Sequence, residues 1–246
     1  MIQISGKTIS QTFNEACRKW PEEIFLCSPS SSESNLIELS FKKVKELVGH
    51  WTSIFRGAGY GSGQRAAVLL GTNTDHYIFK LALNNIGMSC VPINPDYTQS
   101  EIIYLLEDSR ADLVITNKKY EEIIRKSALT SKNNPNVFIF GRESKNIPKS
   151  GTIPPNQEIN CETEASLLYT SGTTGKPKGC ILSNQYELLC GEVYLNIKGP
   201  ITLRENKDRI FNPLPSFHIN AGVVTFFGAM LSGNCIIQYP KKIFCE

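Results

Sequence analysis

The sequence predicts an α/β protein with mainly parallel sheets and flanking helices. Short apolar runs of strand length alternate with segments whose apolar residues recur at helical spacing. Successive runs lie far enough apart to hold a crossover helix, which favours right-handed strand–helix–strand units. Of the 246 residues 41% are hydrophobic and 20% charged, a globular balance that argues against wholesale disorder. At about 150 residues per domain the length suits one large domain or two small ones. A chain of this size buries roughly 70–75% of its unfolded surface, so it needs no disulfide or metal staple.

In chain order, Phe41, Val44, Leu47, Val48, Trp51, Ile54 and Phe55 form an i, i+3, i+4 stripe over 40–56, stopped by Gly57 and Gly59. AAVLLG (66–71) reads as a buried strand, followed by a mostly apolar helix at about 74–86. SCVPIN (89–94) is the next strand, with Pro92 marking a strand end or an edge. Thr98 and Glu101 make a capping box for a helix through about Ser109. ADLVIT (111–116), a helix around 119–128 and VFIFG (137–141) continue the alternation. Residues 142–164 are polar and rich in Pro, Ser and Asn, the composition of a linker loop. This divides the chain into a first α/β portion, 1–141, and a second, 165–246. The second reads as strand 165–170, helix 184–196, strand 209–214, helix 219–231 and strand 234–239. The last helix is apolar nearly all round and expects burial on more than one side. The last strand has few residues after it to cover its edge, which would favour association.

Composition excludes several classes. The net charge of +3, from 26 basic and 23 acidic residues, is too small and dispersed to favour nucleic acid as a partner. The eight cysteines form no Cys-x-x-Cys pair, and Cys17, Cys90 and Cys190 read as small core fillers. The first twenty residues contain no apolar core of a secretory signal, and no apolar run reaches the ~18–20 residues of a membrane span. A reduced cytoplasmic protein is the default expectation. His50 and His76 read as structural.

The chemistry concentrates in Tyr169-Thr-Ser-Gly-Thr-Thr-Gly-Lys-Pro-Lys-Gly179, which follows an apolar strand and is expected to lead into a helix. Thr170, Ser171, Thr173 and Thr174 offer hydroxyls, and Gly172 and Gly175 let backbone approach a ligand closely. Lys176 and Lys178 add two cations. Backbone N–H groups turned inward in such a loop suit a polyphosphate. It is not a Walker A loop, because Thr170 stands where the first Gly belongs and Pro177 follows Lys176. GAGYGSG (57–63) sits between a helix and a strand, the reverse of a dinucleotide-binding turn, and reads as a plain glycine turn.

The 169–179 segment resembles the phosphate-loop signature of the acyl-adenylate-forming enzymes, the AMP-binding superfamily of acyl-CoA and aryl-CoA synthetases, luciferases and peptide-synthetase adenylation domains. Leu39-Ser-Phe41 and Leu83-Asn-Asn-Ile-Gly-Met-Ser-Cys-Val-Pro-Ile-Asn-Pro95 are similar to two other blocks of that family, and the resemblance runs from about residue 8 onward. Pro213-Leu-Pro-Ser-Phe-His-Ile-Asn-Ala-Gly222 is similar to the block that brings a His to the acyl pocket, which points to His218. Acyl-CoA ligases of the family commonly carry Phe-His there and amino-acid adenylation domains Phe-Asp, so a fatty, aryl or carnitine-like acid is expected.

The resemblance implies a two-step reaction. A small carboxylic acid attacks ATP with Mg²⁺ to give acyl-AMP, and coenzyme A then displaces AMP as a thioester. It implies phosphate binding by 170–176 and Lys178, Mg²⁺ contact by Thr170, and an acyl-pocket role for His218. It also implies the N-terminal subdomain and part of the second subdomain of the adenylate-forming fold. The family's later blocks, carrying a Mg²⁺-binding Glu, a ribose-binding Asp and a catalytic Lys, have no counterpart in these 246 residues. The expectation is therefore an N-terminal piece of a ligase, from a truncated or split gene or a deliberately cut chain, inactive alone, with a second polypeptide as a candidate partner. The alternative is a non-catalytic nucleotide- or acyl-binding remnant or regulatory module. A stand-alone ATPase finds no base or metal-binding carboxylate in a matched block.

Overall fold

A computed structural model describes residues 2–29, 36–141, 147–155, 157–170, 176–199 and 201–239. The chain begins with helix α1 (Ile9–Lys19), strands β1 (Ile24–Pro29) and β2 (Leu36–Ser40), and helix α2 (Phe41–Gly57). Then come β3 (Arg65–Leu69), α3 (Thr74–Asn84), β4 (Ser89–Pro92), α4 (Gln99–Ser109), β5 (Leu113–Asn117), α5 (Glu121–Thr130) and β6 (Asn136–Phe140). The remainder holds β7 (Glu164–Thr170), β8 (Lys178–Ser183), α6 (Asn184–Asn196), β9 (Arg209–Asn212), α7 (Phe226–Ser232) and β10 (Cys235–Gln238).

Local chemistry sets the helix starts. Thr8 and Gln11 cap α1 reciprocally, as Thr98 and Glu101 cap α4. Ser40, Asn73 and Ser183 accept the first free backbone N–H groups of α2, α3 and α6. The 57–63 glycine segment is the turn between α2 and β3.

Two sheets result. The larger has the order β6-β5-β3-β4-β7-β8 and is parallel except for the last strand, which returns antiparallel to β7. The smaller has the order β2-β1-β10-β9, parallel except for β2. Helices α4 and α5 cover one face of the large sheet through Ile102, Leu105, Leu106, Ile124 and Ala128. The other face shares one core with α1, α2, α3, α6, α7 and the small sheet. Stacked rings mark that core: Phe25 on Phe41 at 4.3 Å between centroids and Tyr77 on Phe226 at 4.5 Å. Each large apolar side chain so buried contributes ~1.5–3 kcal/mol.

Four expectations change. First, both sheets draw strands from either side of 142–164, so that segment does not divide the sheets. Second, the 169–179 segment leads into strand β8 and reaches helix α6 only afterwards, because Gly179, Cys180, Ile181 and Leu182 find ladder partners in β7. Third, β10 is an interior strand between β1 and β9, while α7, with every residue buried, has the all-round burial expected of it. The expected uncovered edge at β10 is absent because β1, from the N-terminal region, covers it. Fourth, the single helix expected over 219–231 is a π-helical stretch, Asn220–Thr225, followed by α7. Pro92 ends β4, which lies inside the sheet, so it marks a strand end and not an edge.

Candidate functional site

Strands β3, β4 and β7 run parallel, so their C-terminal ends share one edge of the large sheet. Ligand sites of open α/β sheets gather at such edges. Strand β7 ends there at Thr170, whose register partner across the hairpin is Lys178 at the start of β8. Both are exposed, as is Lys176. Ser171, Gly172, Thr173, Thr174 and Gly175 lie outside the described residues. Helix α4 meets both arms of the hairpin. The Tyr169 hydroxyl donates to Asp108 Oδ2 at 2.7 Å, and the Tyr104 hydroxyl donates to the Pro177 carbonyl at 3.0 Å. The Lys176 ammonium stands 5.2 Å from the centre of the Tyr104 ring. Burial, then the Asp108 carboxylate, push the Tyr169 hydroxyl above the usual phenol range.

His218 lies at the same sheet edge, on the segment leaving β9. Its cleft holds about 320 Å³ and is lined by Thr72 and Asn94 beyond β3 and β4, by Lys119 and Tyr120, and by Phe217 and His218. The segment is folded tightly. His218 N donates to the Pro215 carbonyl at 3.0 Å, and Gly222 N donates to the His218 carbonyl at 2.8 Å. A Cβ on Gly222 would sit 2.3 Å from the Ser216 carbonyl oxygen, so only glycine permits this closure. The π-helical stretch starts two residues after His218, a geometry frequent at functional sites. The imidazole is exposed and 4.5 Å from the Phe217 ring. Thr170, Lys176 and Lys178 are not among the lining residues of this cleft.

Behind the hairpin lies a buried polar network that sequence reasoning missed. Lys80 of α3 is 2% exposed and Glu187 of α6 is 0% exposed, with 2.8 Å between ammonium and carboxylate. The same ammonium donates to Ser166 Oγ of β7. The available signal was a lone lysine inside the apolar run Tyr77-Ile-Phe-Lys-Leu-Ala-Leu83. Nearby, burial drives the Cys90 thiol up to about 12 and the His76 imidazole down to about 3, so both stay neutral and inert. His76 is thereby structural, and His50 is an exposed residue edge-on to Trp51. Cys17 and Cys90 are core residues, whereas Cys190 is only partly buried.

Comparison with known proteins shows the family and the fold. The sequence profile of the family described as "AMP-binding enzyme" matches residues 13–245. Tyrocidine synthase 2 of Brevibacillus parabrevis is 29% identical over 240 residues, covering 97% of this chain and 6% of that protein. Sulfoacetate–CoA ligase of Cupriavidus necator is 28% identical over 231 residues, covering 89% of this chain and 42% of the ligase. Among solved structures, the fatty acyl CoA synthetase of Mycobacterium tuberculosis superposes with a TM-score of 0.79 at 19% identity, over 95% of this chain and 45% of that one. The chain thus spans less than half the length of each of these proteins. No helix among the described residues is long and apolar enough to cross a membrane.

Proposed function

The chain belongs to the family of AMP-binding enzymes, and from that premise we propose that it binds the phosphates of ATP for the activation of a carboxylic acid as an acyl-adenylate. The hairpin at the C-terminal edge of the large sheet carries this reading. It sets Thr170 and Lys178 side by side at the two ends of a segment of hydroxyls, glycines and a further lysine. When a carboxylate attacks the α-phosphorus, two anions approach and charge grows on the departing pyrophosphate. Lys176 and Lys178 offset that charge, and the backbone and hydroxyls of 170–175 orient the phosphates. Among the described residues no group of three or more His, Cys, Asp or Glu could hold a metal. The Thr170 hydroxyl is the proposed protein oxygen for a Mg²⁺ ion bound with the nucleotide.

His218 and its cleft are the proposed acyl end of the site, and transfer to coenzyme A the proposed second step. The Phe217-His218 pair favours an acyl or aryl acid. The likeness to tyrocidine synthase 2 favours a second reading, amino-acid activation of the peptide-synthetase kind. Either acid would be a small-molecule partner, and neither reading involves nucleic acid.

Calorimetric titration with ATP and Mg²⁺ tests the phosphate reading. Lys176→Ala removes a charge-assisted contact of ~1.5–3 kcal/mol, or roughly 10–150-fold in Kd. Wild-type binding with unchanged affinity in that variant refutes the assignment. Adenylate formation across acyl, aryl and amino acids, measured in the protein that carries this domain, separates the two substrate readings.

A further inference from the structure

We propose that Tyr104 and Asp108 are positioning residues for the phosphate-binding segment, acting as a two-point clamp from helix α4 onto both arms of the β7–β8 hairpin. The proposal rests on the reading of that hairpin as a phosphate site. The two residues are i and i+4 on α4 and so share a face. Asp108 takes the Tyr169 hydroxyl, one residue before Thr170, and Tyr104 takes the Pro177 carbonyl, one residue before Lys178. Because Thr170 and Lys178 face each other across the ladder, the clamp fixes the two points from which residues 171–176 depart and return. Pro177 has no N–H, so its carbonyl is its one backbone handle, and Tyr104 holds it.

Helix α4 is itself well anchored. Its start is closed by the Thr98–Glu101 box, and Ile102, Leu105 and Leu106 are buried in the core. A hydrogen bond from this helix therefore transmits the position of the sheet to the hairpin. The Tyr104 ring adds a second hold, keeping the Lys176 ammonium over its face at 5.2 Å. Binding of a triphosphate needs its donors preset to within a fraction of an ångström, and the clamp fixes Thr170 and Lys178, the two described ends of that segment.

The test compares wild type with Tyr104→Phe, Asp108→Ala, Asp108→Asn and the double variant Tyr104→Phe/Asp108→Ala. Three readings are taken on the full chain: melting temperature, amide hydrogen exchange, and affinity for ATP and inorganic tripolyphosphate. Exchange in 167–170 and 178–182 should quicken about tenfold or more in the double variant, with Arg65–Leu69 unchanged. Affinity should fall roughly 2–10-fold for Tyr104→Phe, the loss of one neutral hydrogen bond. Asp108→Asn keeps an acceptor and should restore most of what Asp108→Ala loses. Unchanged hairpin exchange in the folded double variant overturns the clamp whatever the ligand does. Faster exchange with unaltered tripolyphosphate affinity overturns its positioning role. A wild type that binds neither ligand, or a Lys176→Ala variant that binds both as wild type does, sinks the phosphate reading itself and with it this role for the clamp.

Discussion

Removing one partner of the Lys80–Glu187 pair should destabilise the protein far more than removing both. The two side chains are 2% and 0% exposed, with 2.8 Å between their charges. Lys80→Met leaves a carboxylate in apolar surroundings, walled by the Phe227 ring that now faces the lysine at 5.8 Å. Breaking a buried pair from one side costs about 3–5 kcal/mol, whereas an apolar replacement of both is neutral or stabilising by about 1–4 kcal/mol. In a chain of this length each kcal/mol moves the melting temperature by about 2–4 °C. Lys80→Met and Glu187→Leu should therefore each lower it by roughly 6–20 °C, and the double variant should recover most of the loss. Thermal melts of the wild type, the two single variants and the double variant complete the cycle. Additive single effects, or singles costing less than about 1 kcal/mol, would show that water reaches the pair or that the charges do not depend on each other.

His76, held neutral with a pKa of about 3, makes acid destabilising. The unfolded chain takes up this proton below about pH 6.5, the ordinary histidine value, while the fold does not. Stability from this residue is thus intact above that pH and falls by ~1.4 kcal/mol per unit as pH drops toward 3. His76→Leu should flatten that slope in urea titrations, and an unaltered slope would contradict it. Gly191→Val should pry α6 from α7, because even a Cβ there lies 2.6 Å from Phe227 Cβ. Overpacking of about 1–3 kcal/mol should appear as an earlier melt, and a neutral result refutes the close crossing. Arg65 forms a two-pronged bond to Glu164, both at 2.8 Å, and also donates to the Ser109 carbonyl. Arg65→Lys cannot reproduce the fork and should cost roughly 1–2 kcal/mol, a loss that an unchanged melting curve would disprove.

The parallel core of the fold was legible in the sequence because its strands are buried on both faces. Such strands read as continuous apolar runs, as in 66–71 and 111–116. The N-terminal elements were not read, since α1 carries only a narrow apolar stripe of Ile9, Phe13, Ala16 and Cys17. Strand β8 was hidden for a different reason. As an edge strand it is exposed over Lys178–Ile181, and its Lys, Gly and Cys carry little strand signal. Periodicity also cannot tell which strands pair, so β10 was read as an edge although β1 covers it. The candidate site was legible only as a motif. Its supports, Tyr104, Asp108, Lys80 and Glu187, lie in elements distant in sequence, and only the fold brings them together.

The supports also explain where buried polarity is concentrated. Strand β7 carries the hairpin, yet its ladder to β4 is thin, with Cys90↔Ser166 as its register pair. Side chains supply what the ladder lacks. Asn184 donates to the Thr163 carbonyl at 2.7 Å, Arg65 grips Glu164, Asn84 donates to the Ala165 carbonyl at 2.7 Å, and Lys80 reaches Ser166. Asp108 then takes Tyr169 at the far end. Five positions from 163 to 169 are thus each held by a residue from another element. Sliding such a strand by one residue would break its backbone ladder and turn its buried face outward, and side-chain hydrogen bonds add to that penalty. Hydrogen bonds in a low-dielectric interior have one good geometry and penalise departure from it. Lys80, held by Glu187 and tied to Ser166, adds one such directional hold to the strand that carries the candidate site.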